Sequence, residues 1–177
     1  MAAEVFAEKG FDAGTTKEIA TRIGLSQPSI YYYFGSKEGL LKEIMLAVVN
    51  DLTAALRQAR SNGASSRDVL AQVIEQMTLV VAKQRVPFTV YYKEFGRIDV
   101  EIRRALQDTE REFVAEVRGI VQEVQRDGGL PAELSPMVLT EAILGMVSWT
   151  HRWFRPDGPL EARDIARHFT ALIGIPG

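Results

Sequence analysis

Cysteine is absent from the 177-residue chain, and histidine occurs only twice, at His151 and His168. Without thiols, disulfide frameworks, thiolate metal sites and cysteine nucleophiles are excluded. Two histidines make a histidine-based metal site improbable, and neither a metal nor a cofactor is expected. Long apolar runs are also missing. None reaches the length of a membrane span, and Met1-Ala2-Ala3-Glu4 does not resemble a signal peptide. A cytoplasmic location and no membrane partner follow as expectations. There is no Gly-x-Ser-x-Gly elbow, phosphate loop, dinucleotide fingerprint or metal-binding histidine pair, so an enzyme is not expected. Positive charge is scarce as well: 21 Lys and Arg stand against 23 Asp and Glu, a net charge of −2. That balance argues mildly against a nucleic-acid binder, because phosphate contacts usually need a basic surface. Residues 1–45 do not reverse it. Their cations are Lys9, Lys17, Arg22, Lys37 and Lys42, and their anions are Glu4, Glu8, Asp12, Glu18, Glu38 and Glu43. Any DNA binding must rest on local arrangement, with modest affinity per subunit.

What the chain does have is helical periodicity, with no strand-like alternation standing out. The fold class is all-α. Gly10, Gly24, Gly63, Pro87, Gly128-Gly129, Pro136 and the stretch from Pro156 to Pro159 mark the joints. The first 45 residues hold short helical segments at 2–9, 16–23 and 27–33. Ser36 then caps a long helix running to about Arg60. In the remainder, Ser65-x-x-Asp68 is a capping-box variant ahead of a helix over about 66–85. Leu106, Phe113, Val117, Ile120 and Val124 form one stripe of a helix over 100–126. Ser135-Pro136 signals a helix reaching about Phe154, and a last helix spans about 160–174 with Ile165, Phe169 and Leu172 in register. The domain reading is therefore 1–45 as a small head and 46–177 as a helical body.

The head carries the functional motif. Two short helices joined by Gly24-Leu25-Ser26 form a helix-turn-helix pattern, in which Gly24 suits a left-handed stop and Ser26 caps the next helix. The second helix must enter a major groove, and Ser26 to Tyr33 is polar enough at its start to do so. Gln27 can pair with adenine or phosphate, and Ser29 can donate to either. The hydroxyls of Tyr31 and Tyr32 can reach phosphates, or the rings can pack against the neighbouring helices. Tyr33 is expected to pack, and Ile30 and Phe34 to be core. Lys37 adds a cation beside a helix N-terminus.

The stretches Phe6-Ala7-Glu8-Lys9-Gly10-Phe11, Thr15-Thr16-Lys17-Glu18-Ile19-Ala20, Gly24-Leu25-Ser26 and Ile30-Tyr31-Tyr32-Tyr33-Phe34-Gly35-Ser36-Lys37-Glu38 together resemble the head of the tetracycline-repressor (TetR/AcrR) family. The resemblance implies a ligand-responsive transcriptional repressor that binds a double-stranded DNA operator as a homodimer and is released by a small-molecule inducer. It implies phosphate contacts from Thr16, Lys17 and Lys37, with Gln27, Pro28, Ser29, Tyr31 and Tyr32 facing the groove and backbone. Two departures stand out. The chain opens inside the family's first helix without a basic arm, so the start reads as truncated. Gly39 replaces a frequent glutamate, so the fourth helix is expected to lose a capping contact. The alternative is a helical ligand-binding or scaffold protein that has lost DNA binding, a reading motivated by the acidic head.

In the body, residues 137–154 are apolar nearly all round, which implies burial on two sides. One side is read as subunit core and the other as a dimer interface. Ala142, Gly145, Met146 and Trp149 are its candidates, joined by Ile165, Phe169 and Leu172 from the last helix. Phe88, Tyr91, Tyr92 and Phe95 are candidates for an apolar pocket wall, or for plain core. Glu110, beside Phe113, is either structurally paired or aimed at a ligand. Trp149 to Leu160 resembles family members that sense coenzyme A thioesters, which makes Arg152, flanked by Trp149 and Trp153, a candidate phosphate contact. His151 and His168 are expected at the surface or interface. The acidic residues at 99, 101, 108, 110 and 112 are read as a solvated helix face.

Overall fold

The computed structural model describes residues 1–62 and 65–175, so Gly63 lies outside the described residues. Among these residues there are nine α-helices and one 3-10 turn, and no strand. The helices are α1 (Ala2–Ala13), α2 (Thr16–Ile23), α3 (Gln27–Phe34), α4 (Lys37–Asn62), α5 (Ser66–Lys83), α6 (Arg85–Glu94), α7 (Val100–Arg126), α8 (Pro136–Trp153) and α9 (Ala162–Leu172). They fall into two compact units, residues 1–50 with 84–109, and residues 51–83 with 110–177.

In the first unit α1 packs on α2 and α6, and α2 packs on α3. Phe6, Ile19, Ile30, Leu41 and Met45 are fully buried, each stabilising the unit by roughly 1.5–3 kcal/mol relative to exposure. The expected break at Gly10 is a kink inside α1, which continues to Ala13. Gly10 adopts φ 81° and ψ 166°, a conformation only glycine takes without strain. The kink frees the Phe11 N–H, which donates to Glu94 Oε1 at 3.2 Å, while Lys93 Nζ donates to the Ala7 carbonyl at 3.3 Å. Helix α6 starts before Pro87 rather than after it. The break from α5 falls at Gln84, because proline is tolerated in a first turn.

The turn between α2 and α3 forms as its sequence dictates. Thr15 Oγ1 accepts from the Glu18 N–H, Gly24 takes the left-handed conformation at φ 74°, and Ser26 Oγ accepts from the Ser29 N–H. Ser36 Oγ likewise caps α4 by accepting from the Gly39 N–H at 3.0 Å. A Cβ at Gly39 would run into the Phe34 carbonyl oxygen as the backbone stands.

In the second unit α5 packs against α8 and α9. The capping box of α5 is reciprocal, with Ser65 N donating to Asp68 and Asp68 N donating to Ser65 Oγ. Ser135 precedes Pro136 as expected, but its side chain makes no capping hydrogen bond. The expected α7 stripe is buried along its length, Leu106 within the first unit and Phe113, Val117, Ile120 and Val124 within the second. The α9 register differs from expectation. Ile165, Ala166 and Thr170 are its buried face, whereas Leu172 is 73% exposed.

Candidate functional site

Helix α3 presents its tyrosines outward. Tyr31 and Tyr32 are exposed, and Tyr33, expected to pack, is 67% exposed with its ring edge-on to Tyr32. It points away because Ile30 and Phe34, four residues apart, already supply the inward face. Gln27 and Pro28 are exposed and Ser29 is half-buried. Gln27 Nε2 donates to Thr16 Oγ1 at 2.9 Å, and the Thr16 hydroxyl shares a hydrogen bond with the Tyr31 hydroxyl at 3.2 Å. Thr16 is only 6% exposed. Sequence reasoning missed this network. Its single legible trace was the i, i+4 spacing of Gln27 and Tyr31.

The charges of the head are sorted by ion pairing. Arg22 binds Glu8 through two hydrogen bonds of 3.0 and 2.7 Å and lies 3.6 Å from Glu18, which also meets Lys9 at 2.8 Å. The Arg22 hydrogen bonds hold the Glu8 carboxyl below its ordinary range, and Glu8 raises the already high Arg22 value further. Glu8 and Glu18 are thereby neutralised by Lys9 and Arg22. Lys17 stays exposed, with no acidic partner among the described residues. Lys37 sits differently: its ammonium donates to the Asp12 carbonyl at 3.1 Å and lies 4.5 Å from the centre of the Phe11 ring. One of its three N–H donors is thus used within the head.

The candidate ligand residues divide between the two units. Phe88 and Tyr91 are buried in the first unit, Phe95 is half-buried and Tyr92 is exposed. Tyr91 meets both Tyr92 and Phe95, with ring centres 5.6 and 5.4 Å away. In the second unit Phe113 is buried and Glu110 exposed. Arg152 lies 4.5 Å over the exposed Trp149 ring, and Trp153 is exposed. An open groove of about 400 Å³ is lined by Gln122, Gln125, Arg126 and Ala132, none of them among the expected ligand residues.

Helix α8 has two apolar faces. Ile143 and Val147 are buried with Thr140 and Thr150, while Val138, Ala142, Gly145, Trp149 and Trp153 are exposed. Met146 and Phe169 are half-buried. Two expectations are corrected. Ile165, a candidate interface residue, is 3% exposed in the core of its own unit, because α9 turns that side towards it. His151 is buried rather than superficial, its Nδ1 lying 2.6 Å from the Ser148 carbonyl oxygen.

A capped two-helix turn with an exposed polar second helix, on an all-helical chain, defines a helix-turn-helix DNA-binding regulator. Residues 1–44 match the family model for bacterial regulatory proteins of the tetR family, and residues 63–174 match the tetracyclin repressor-like C-terminal domain. The chain belongs to the TetR family, and it is a ligand-responsive, DNA-binding transcriptional regulator, not an enzyme. It is 30% identical to the TetR-family regulator PfmR of Thermus thermophilus, with a TM-score of 0.89, covering 99% of this chain and 95% of that one. It is 25% identical to the transcriptional repressor KstR2 of Rhodococcus jostii, over 98% of this chain and 85% of that protein. The structure of AibR in complex with isovaleryl coenzyme A and operator DNA shares the fold, with a TM-score of 0.85 at 22% identity and coverage of 99% and 95%. No helix among the described residues is long and apolar enough to cross a membrane.

Proposed function

We propose that the chain is a cytoplasmic repressor whose head, residues 1–45, binds operator DNA through α3, and whose body, residues 46–177, binds the inducer and dimerises. The observation that carries this reading is the display of exposed Gln27, Pro28, Tyr31 and Tyr32, with half-buried Ser29, on a capped helix of a head whose Lys17 has no acidic partner among the described residues. Gln27 and Ser29 face base edges, and Tyr31 and Tyr32 offer hydroxyls to the backbone. Lys17 and Lys37 neutralise phosphates, Lys37 with its two remaining donors. The acidic composition is no obstacle, since Glu8 and Glu18 are spent on Lys9 and Arg22. Lys37→Ala should weaken binding to all duplexes and Gln27→Ala should change sequence preference, both read by fluorescence anisotropy. Unchanged binding in both variants would remove the assignment.

A second copy of the chain covers the outer α8 face, with Ala142, Gly145, Met146 and Trp149 joined by Phe169 and Leu172. The inducer is an acyl-coenzyme A thioester or a related hydrophobic acyl compound. In the first unit Phe88, Tyr91, Tyr92 and Phe95 are candidates for an apolar pocket wall, and in the second unit Glu110 and Phe113 are candidates of their own. Arg152 stands between Trp149 and Trp153, where a guanidinium can hold a phosphate while an indole covers the adenine. AibR, which shares the fold, binds isovaleryl coenzyme A, and that supports the reading. Arg152→Ala should abolish calorimetric binding of the thioester while leaving DNA binding intact. Equal binding of the matching free acids would remove the coenzyme from the proposal.

A further inference from the structure

We infer that Thr16 is a positioning residue that locks the Gln27 amide for reading adenine, and that it does not serve as a phosphate contact. This rests on the reading above that α3 enters the major groove. Thr16 is the first residue of α2 and is buried. A threonine hydroxyl has one donor and two acceptor positions. One acceptor position takes the Gln27 Nε2 hydrogen at 2.9 Å, and the Tyr31 hydroxyl occupies a second position at 3.2 Å. With Thr16 as the donor to Tyr31, its hydroxyl keeps no hydrogen for a phosphate.

The consequence falls on Gln27. Its amide carries two N–H hydrogens and one carbonyl oxygen, and a side chain free at the surface rotates that amide. The bond to Thr16 uses one hydrogen and fixes the amide plane. Left over are Oε1 and the second N–H, the acceptor and donor pair that adenine requires at N6 and N7. Guanine offers two acceptors on the same edge and cannot satisfy Oε1. Gln27 and Tyr31 lie one turn apart on α3, so the two bonds to Thr16 also fix the rotation of the reading helix against α2. The network lies wholly within the first unit.

The test uses the full chain and a duplex library with randomised positions, selected by wild type, Thr16→Val, Thr16→Ser and Gln27→Ala. Wild type should prefer adenine at one position per half-site by about tenfold or more. Gln27→Ala should lose that preference, and Thr16→Val should reduce it to roughly two- to threefold with an unchanged salt slope, because the hydroxyl carries no charge. Thr16→Ser restores the hydroxyl and should restore the preference. Should Thr16→Val unfold, Thr16→Ala tested against Thr16→Ser gives the same comparison, with circular dichroism as the control. A uniform loss of affinity in the hydroxyl-free variants, with adenine preference intact, makes Thr16 an ordinary backbone contact and overturns the inference. A Gln27→Ala profile identical to wild type overturns it too. If Lys17→Ala, Lys37→Ala and Gln27→Ala all leave binding unaltered, the failure belongs to the α3 docking reading itself.

Discussion

Replacing Lys17 with alanine should remove one phosphate contact per subunit and leave the fold untouched. The reasoning rests on how the head sorts its charges. Lys9 is held by Glu18 at 2.8 Å and Arg22 by Glu8 at 2.7 Å, whereas Lys17 is exposed with no acidic partner among the described residues. Each neutralised phosphate steepens the dependence of log K on log salt by about 0.9 for duplex DNA. A dimer carries two copies of Lys17, so Lys17→Ala should flatten the slope by about two. Between 50 and 200 mM salt, the affinity ratio of wild type to variant should then shrink about twelvefold, a fourfold salt change raised to about 1.8. Lys9→Ala removes the same formal charge but an internally spent one, so its slope should match wild type. Fluorescence anisotropy on a fixed operator duplex across a salt series measures both. A Lys17→Ala slope equal to wild type, or a Lys9→Ala slope equal to that of Lys17→Ala, would refute the charge sorting.

Three further outcomes are expected. Gly145→Arg should yield monomers by light scattering with native circular dichroism. A Cβ at 145 meets nothing within 4 Å in its own subunit, while on a dimer face the arginine would bury an unpaired charge. Persistent dimers would exclude this face. Gly10→Ala should destabilise the chain by about 1–3 kcal/mol in urea titration, because alanine rarely adopts a positive φ with an extended ψ. An unchanged midpoint would show that the kink is not enforced. The Glu8 carboxyl is held below its ordinary value of 4.5 by Arg22, so the pair stabilises the fold above the unfolded value and ceases to do so as pH falls through the lowered folded value. The melting-temperature gap between wild type and Glu8→Gln should be small and constant near neutral pH and should close on acidification below 4.5. A gap that widens on acidification would contradict the pairing.

The primary sequence by itself determined the helices and the turn that defines the head. Thr15, Gly24 and Ser26 act on backbone groups only a few residues away, so α2, its left-handed stop and the cap of α3 follow from local chemistry. The long stripe of α7 was legible for the same reason, since a period of 3.6 over 27 residues leaves one buried face. The outer apolar face of α8 could also be read from its composition. Tertiary structure decided what depends on how one helix is rotated against another. It turned Tyr33 outward and placed Ile165 and His151 in the core. It paired Arg22 with Glu8 across fourteen positions and Lys9 with Glu18 across nine, and left Lys17 exposed with no acidic partner among the described residues. It also brought Thr16 to Gln27 across eleven positions, giving a candidate phosphate contact the geometry of a clamp. Spacing within a helix fixes which residues share a face, but only packing between helices fixes which face is covered and which charges meet.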